Sequence, residues 1–306
     1  MDKRKFNFKL FSRLIKNVKP YKTNFIFVSF AAILISFFSI LNQYLLKIAV
    51  DDYITLKNYQ GLITIISIMV GVLLFQVLFQ FLFVYFTNLL GQKVVFDIRN
   101  KLFSKIISFK MSYYNKSSIG RLVTRTVNDM ETIASIFSQG LFMIIADLIL
   151  MLSVLTVMVI LSLKLSIIIF LILPFIIVAT RLFQMAMKVA FNQVRNEVAN
   201  LNSFVQERLS GMKEIQIFNR QKIEYENFKN INDRHKQAWL KTVWYNSIFF
   251  PISEISTSIT IGLLVWYAGF NNIADENSVS LGTIFLFIQL SQMLFRPLRQ
   301  IADKFN

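Results

Sequence analysis

Six long apolar runs, separated by polar stretches of very unequal length, dominate this 306-residue sequence. A helix needs roughly 20 mainly apolar residues to cross a hydrocarbon core of about 30 Å. Runs of that kind cover residues 24–46, 62–90, 136–161, 165–183, 246–269 and 281–298, and each predicts a membrane-spanning helix. The connections over 49–60, 162–164 and 270–280 are short, whereas 91–135 and 184–245 are too long to be structureless inside a compact domain. Both long connections keep a helical period. Val95, Ile98, Leu102, Ile106 and Phe109 repeat at three- to four-residue steps, as do Val194, Val198, Leu201, Val205, Leu209, Met212 and Ile215. Breaks are expected mid-segment, around Ser117 to Gly120 and around Phe218 to Arg220. Each connection then reads as a helical hairpin carrying two membrane helices roughly 30 to 40 Å beyond the bilayer, at 1.5 Å per residue. Ahead of the first span, Phe8, Phe11, Leu14, Ile15 and Val18 recur at helical spacing among lysines and Arg13. That pattern predicts an interfacial elbow helix ended by Pro20. The expectation is an all-α membrane protein, with residues 1–22 as elbow and N-terminus and 23–306 as one six-span domain.

Composition supports lipid as the solvent. Apolar residues make up 55% and charged residues 16%, against about 25% charged in soluble domains. The net charge of +16 would suit a nucleic-acid partner if it were spread over the surface, but it is segregated. With both termini and both hairpins on one side, 30 of the 33 Lys and Arg fall there, and the other side keeps only Lys47, Lys57 and Lys164 beside Asp51, Asp52, Asp275 and Glu276. The positive-inside rule places the termini and hairpins in the cytoplasm, and no nucleic-acid partner is expected. The first apolar run is too long, and lacks a small-residue cleavage site, for a removable signal peptide. With no Cys and one His, disulfides, thiolate metal sites and bis-His haem are excluded, and no metal site is expected.

Long rigid arms make little sense for a channel that works at mid-membrane. Such a protein should show a polar pore stripe or paired broken half-helices, and the two mid-chain prolines, Pro174 and Pro251, do not form such a pair. Arms make sense where a cytoplasmic component pushes on their tips. A passive channel and a non-transporting membrane scaffold that binds a cytoplasmic partner stay open as rival readings.

The tips carry recognisable motifs. The stretch from Phe109 through Met111-Ser112-Tyr113-Tyr114-Asn115 and Ser117-Ser118-Ile119-Gly120-Arg121 to Arg125 and Asp129, preceded by Asp97-x-Arg99, resembles the first intracellular loop of exporter-type ABC transporter transmembrane domains. Leu201-Asn202 through Glu207-x-x-x-Gly211-x-x-x-Ile215-x-x-Phe218, then Glu224 and Phe228, is similar to their second loop. Val50-Asp51-Asp52-Tyr53-Ile54, Ser280-Leu281-Gly282-Thr283 and Pro297-Leu298 extend the resemblance over essentially the whole chain. The resemblance implies that Ser112, Tyr113, Tyr114, Asn115, Gly120, Arg121, Phe218, Asn219, Arg220 and Glu224 belong to coupling segments that dock onto nucleotide-binding domains. Arg125, Asp129 and Glu207 would be ion-paired between neighbouring helices of the arms. It also implies ATP-driven export of hydrophobic or amphipathic compounds (drug, lipid or peptide) by alternating access, in a homodimer or heterodimer with a second half-transporter. The phosphate-cradling G-x-x-x-x-G-K-[ST] motif is not in these residues, since none of the nine glycines precedes a lysine. ATP and Mg are therefore expected on a nucleotide-binding domain fused downstream or supplied by a separate chain, and no catalytic residue is expected here.

A charged side chain inside a span costs at least about 2.5 to 3.5 kcal/mol on insertion scales, so each needs a reason. Asp147, and Glu254 beside Ser253, Ser256, Thr257, Ser258 and Thr260, are such residues. An anionic substrate cavity and interhelical bonding explain them equally well. Gln43, Gln76 and Gln80 are weaker cavity candidates, because amides often join helices. The 32 Phe would suit an aromatic pocket, though their even spread favours a lipid-facing role. His235 reads as solvated, and Lys47 and Arg181, near span ends, can snorkel.

Overall fold

The computed structural model describes residues 19–274 and 279–304, with the backbone alone for 137–139, 271–274 and 300–304. Apart from a 3-10 turn over Lys19–Tyr21, the expected elbow helix lies outside the described residues. Among the described residues there are helices and turns and no strand. They are α1 (Lys22–Ile48), α2 (Tyr59–Ile107), α3 (Met111–Lys116), α4 (Ile119–Thr126), α5 (Asn128–Ser135), α6 (Phe142–Leu161), α7 (Leu163–Ser210), α8 (Met212–Ile217), α9 (Gln221–Ala274) and α10 (Leu281–Lys304). Two wider π-helical turns, Ala49–Ile54 and Ile136–Leu141, follow α1 and precede α6.

Helices α1, α2, α6, α7, α9 and α10 are each long and apolar enough to cross a bilayer. Three of them greatly exceed that need. Helices α2, α7 and α9 run unbroken for 49, 48 and 54 residues, about 70 to 80 Å each, so more than half of each rod lies outside a hydrocarbon core of about 30 Å. Lipid explains the continuity inside that core, because every backbone group there must find its partner within the segment. The turns between spans are correspondingly economical. Ser162 alone separates α6 from α7, its hydroxyl facing the Leu165 amide. Asn58 accepts from the Gly61 amide at 3.0 Å to begin α2.

The chain divides into two compact units. One holds residues 1–161 and 279–290, the other 162–278 and 291–306. In the first, α1 packs on α2 and α6 around Val28, Ala31, Ala32, Phe83, Leu90, Val94 and Phe142. Ala31 and Ala32 allow close approach of backbones, the usual device where lipid offers no hydrophobic drive between helices. Farther along, Val95 of α2 meets Met130 and Ala134 of α5, which fixes the root of the first arm. The opposite end of this unit is closed by Asp51. Its carboxylate accepts from the Ser280 hydroxyl at 2.6 Å and the Gly282 amide at 2.7 Å, an anionic cap on the positive end of α10. The approach is so close that a Cβ on Gly282 would sit 2.5 Å from the Lys47 carbonyl oxygen.

In the second unit α7 and α9 run side by side, with Phe183 stacked on Phe249 at 4.1 Å beside buried Met187. Phenylalanines serve both solvents. Phe83, Phe142, Phe183 and Phe249 are buried, while Phe30, Phe37, Phe75 and Phe81 are more than half exposed on the lipid-facing surface. The apolar repeat that marks the second arm as helical does not all face inward: Val194 is buried and Leu201 half-buried, whereas Val198, Val205 and Leu209 are exposed, and the inner face continues through Glu197, Phe204 and Arg208. Polar residues hold the inner face, which an apolar-period reading passes over.

The Gly282 contact yields a direct test. Replacing Gly282→Ala forces a backbone shift or breaks the Asp51 cap, and should cost about 1–3 kcal/mol, read as a fall in the thermal midpoint of the detergent-solubilised protein. An unchanged midpoint would show that the clasp is not tight.

Candidate functional site

The two arm tips are the places where rigid helices stop in water. In the first, α2 ends at Ile107, and Ser108 through Lys110 turn the chain into α3. Breaks then follow at Ser117–Ser118, inside the expected window, and at Val127, outside it. The turn is held by its own aromatics. Tyr114 donates its hydroxyl to the Ile106 carbonyl in the last turn of α2, which also accepts from the Phe109 amide at 3.1 Å. Tyr113 lies against Phe109 at 4.4 Å. Both tyrosines, expected as docking anchors, are half-buried in the tip itself, and the outward side is made by Met111, Ser112, Asn115, Ile119, Gly120 and Arg121. Met111 and Ile119 are 73% and 72% exposed, far from any apolar span.

Arg99 is the cation that stiffens this arm, pairing with Glu131 at 2.8 Å. Arg125 and Asp129, expected as arm pairs, are both exposed, and among the described residues neither has an ionic partner in this chain. Asp97 accepts from the Tyr21 hydroxyl at 2.9 Å, tying the turn ahead of α1 to the arm. That hydrogen bond, with burial and the adjacent negative charge, pushes the Tyr21 phenol above its ordinary value. The two ends of the Asp97-x-Arg99 motif thus bind different neighbours.

The second tip is built on antiparallel rungs between α7 and α9. Gln193 accepts from Lys241 at 3.3 Å, Glu197 pairs with Arg234 at 3.4 Å, Phe204 faces Phe228 at 6.3 Å and Arg208 meets Glu224 at 2.7 Å. Arg208 also contacts Glu207 at 2.9 Å and lies over the Phe204 ring. Beyond this last rung, Gly211 ends α7, α8 makes one and a half turns, and Asn219 reverses the chain at φ 51. Asparagine tolerates this left-handed conformation through local hydrogen bonding of its short side chain. The break at Phe218 to Arg220 falls where the pattern predicts, and the break at Gly211 is additional. Phe218 stands 72% exposed with Ile217 beside it. Glu224, expected on the docking surface, has only 11% of its side chain exposed and faces into the hairpin, between Arg208 and Arg220.

Gln76 of α2 donates to the Ser39 hydroxyl of α1 at 3.1 Å, the helix-joining role of a membrane amide. Gln43 is half-buried, Gln80 is exposed, and Asp147 is half-buried in α6. Glu254 pairs with Arg299 at 3.0 Å, so a partner on α10 neutralises this intramembrane charge. Nothing local in the sequence joins residues 254 and 299.

Six apolar helices, three of them prolonged into rods joined at their far ends by short helices with exposed apolar side chains, define a membrane domain with long helical arms. The profile of the ABC transporter transmembrane region matches residues 25–298, and the chain belongs to that family. It is 26% identical over 303 residues to an ABC transporter ATP-binding protein, YknV, of Bacillus subtilis, covering 98% of this chain and 50% of the relative. It is 26% identical over 302 residues to the ATP-dependent lipid A-core flippase of Yersinia pestis, and 25% identical to that of Escherichia coli, covering 99% of this chain and 52% of each relative. The chain spans about half the length of these curated relatives.

The rungs generate a prediction. Glu224→Gln leaves the Arg208 guanidinium with a weaker partner in a mostly buried setting, and should destabilise the protein by about 1–3 kcal/mol. Arg208→Met combined with Glu224→Gln should cost less than the two single changes added together, read from chemical denaturation as a double-mutant cycle. Strict additivity would show that the rung is not a coupled unit.

Proposed function

We propose that this chain is the permease part of an ATP-driven exporter that moves hydrophobic or amphipathic compounds across the cytoplasmic membrane by alternating access. Among drug, lipid and peptide, a lipid is the favoured substrate class, in keeping with the relatives named as lipid A-core flippases. The observation that carries the proposal is the pair of apolar tips. Met111, Ile119, Ile217 and Phe218 are exposed at the ends of arms stiff enough to transmit force, and large apolar side chains clustered in water mark protein interfaces. The partner that fits is a nucleotide-binding domain carrying ATP and Mg, fused downstream or separate, seated under Ser112, Asn115, Gly120, Arg121, Asn219 and Arg220. A second half-transporter would complete the translocation path. Termini and arms lie in the cytoplasm on the charge count, with Lys47, Lys57 and Lys164 outside.

Two measurements test this. The native chain has no cysteine, so Lys57→Cys and Asn115→Cys can be labelled singly with an impermeant maleimide. Lys57→Cys should react in intact cells, and Asn115→Cys only after permeabilisation. In proteoliposomes holding the permease with its ATPase, a fluorescent phospholipid should change leaflet on ATP addition, and Phe218→Asp should reduce that rate at least about tenfold by placing a charge in an apolar contact. ATP-independent movement would favour a passive channel. No movement of any amphiphile, with the tips still binding a partner, would favour a scaffold.

A further inference from the structure

Helix α1 is not continuous with either arm. Helix α2 runs from its span straight into the first arm, and that arm returns to α6 through α5 and the turn over Ile136–Leu141. Helix α1 begins at Lys22, so at that end a movement of the arm reaches it through side chains. Within the apolar run 62–90 the two helices meet at Phe27 with Phe86, 4.6 Å between rings, and at Ser39 with Gln76. Tyr21 reaches beyond that run. Its ring packs on the cluster that holds Leu90 and Val94, the Lys93 ammonium lies over the ring at 5.9 Å, and its hydroxyl donates to the Asp97 carboxylate at 2.9 Å. Residues 90, 93, 94 and 97 share one face of α2. Apolar contact, cation–π attraction and a charge-assisted hydrogen bond therefore fall on two successive turns at the arm root.

The charges at this joint serve the tyrosine. Lys93 and Asp97 stand one helical turn apart with opposite signs, yet among the described residues neither forms an ion pair, and each engages Tyr21 instead. Arg99, two residues on, is held by Glu131. From the chain side, Pro20 and the 3-10 turn over Lys19–Tyr21 restrict the backbone that carries the ring. All three side chains of the joint are half-buried, which shields the hydrogen bond from competing water. We propose that Tyr21 is a positioning residue for transport: it fixes the start of α1 to the root of the first arm, so that a tilt of the arm is delivered to α1 as well as to α2. The delivery of motion rests on the exporter reading; the joint itself does not.

The test has two readouts. Spin labels on Thr23→Cys and Lys101→Cys, both exposed positions of the same compact unit, report the joint by pulsed dipolar spectroscopy of the detergent-solubilised chain. With Tyr21 in place the distance distribution should be narrow, and Tyr21→Phe, which keeps the ring under Lys93 and deletes the hydroxyl, should broaden it by several Å. In proteoliposomes holding the assembled transporter, Tyr21→Phe should lower the maximal rate of ATP-driven lipid movement about fivefold, the low end of coupling between sites, with the KM for ATP unchanged. Asp97→Asn should act the same way, and the double variant should be no worse than the stronger single one. Either single variant decides the matter if the other does not fold. A lower rate with an unchanged distribution, a broadened distribution with an unchanged rate, or additive losses in the double variant overturns the positioning role. A wild type that moves no lipid on ATP addition counts against the exporter reading, and the distribution in the isolated chain then still judges the joint.

Discussion

The polar rungs between α7 and α9 are the interaction on which the second arm depends. In lipid a helix stays whole because its backbone has no other partner, but in water an isolated helix of this length would fray and bend. Gln193 with Lys241, Glu197 with Arg234 and Arg208 with Glu224 replace lipid as the restraint, in antiparallel order from the end of the spans to the tip. Singly, such pairs are weak where exposed. Their value lies in repetition and in the last rung, where Glu224 is mostly buried and Arg208 is also held by Glu207 and the Phe204 ring. A hairpin fixed in this way moves as a unit, which is what a mechanical link to a cytoplasmic motor requires.

The first arm reaches stiffness by another route. Its root is apolar, with Val95 against Met130 and Ala134, and one ion pair, Arg99 with Glu131, sits beside it. Tyr21 and Asp97 join that root to the start of α1, and at the far end of the same unit Asp51 clamps the start of α10. Polar contacts therefore hold both ends of this unit, half-buried at Tyr21–Asp97 and Asp51–Gly282 and exposed at Arg99–Glu131 and Asp51–Ser280.

Much of this was legible from apolar run length alone, since lipid permits few alternatives. The run 24–46 became Lys22–Ile48, and the two long connections became the predicted helical arms. The chain reversal at Asn219 lay where the period failed. What stayed hidden was pairing over distance and the role of polar residues on inner faces. Glu197 and Arg208 lie on the inner face of the second arm, where a count of apolar residues does not look. Tyr113 and Tyr114 were placed in the docking segments by resemblance; their contacts within the tip, Tyr114 with the Ile106 carbonyl and Tyr113 with the Phe109 ring, were not written in the motif. Glu254 found its cation on a helix 45 residues later in the chain.

The central claim is that the arms carry motion between a nucleotide-binding partner and the spans. Spin labels at Ser104→Cys and Val205→Cys, one on each arm at exposed positions, would report it in proteoliposomes containing the assembled transporter, with labelled chains diluted by unlabelled ones. Pulsed dipolar spectroscopy with and without ATP and Mg then gives the distance distribution between the arms. A shift of several Å on nucleotide binding, reversed after hydrolysis, is the predicted result. An unchanged distribution while ATP is being hydrolysed would contradict the account.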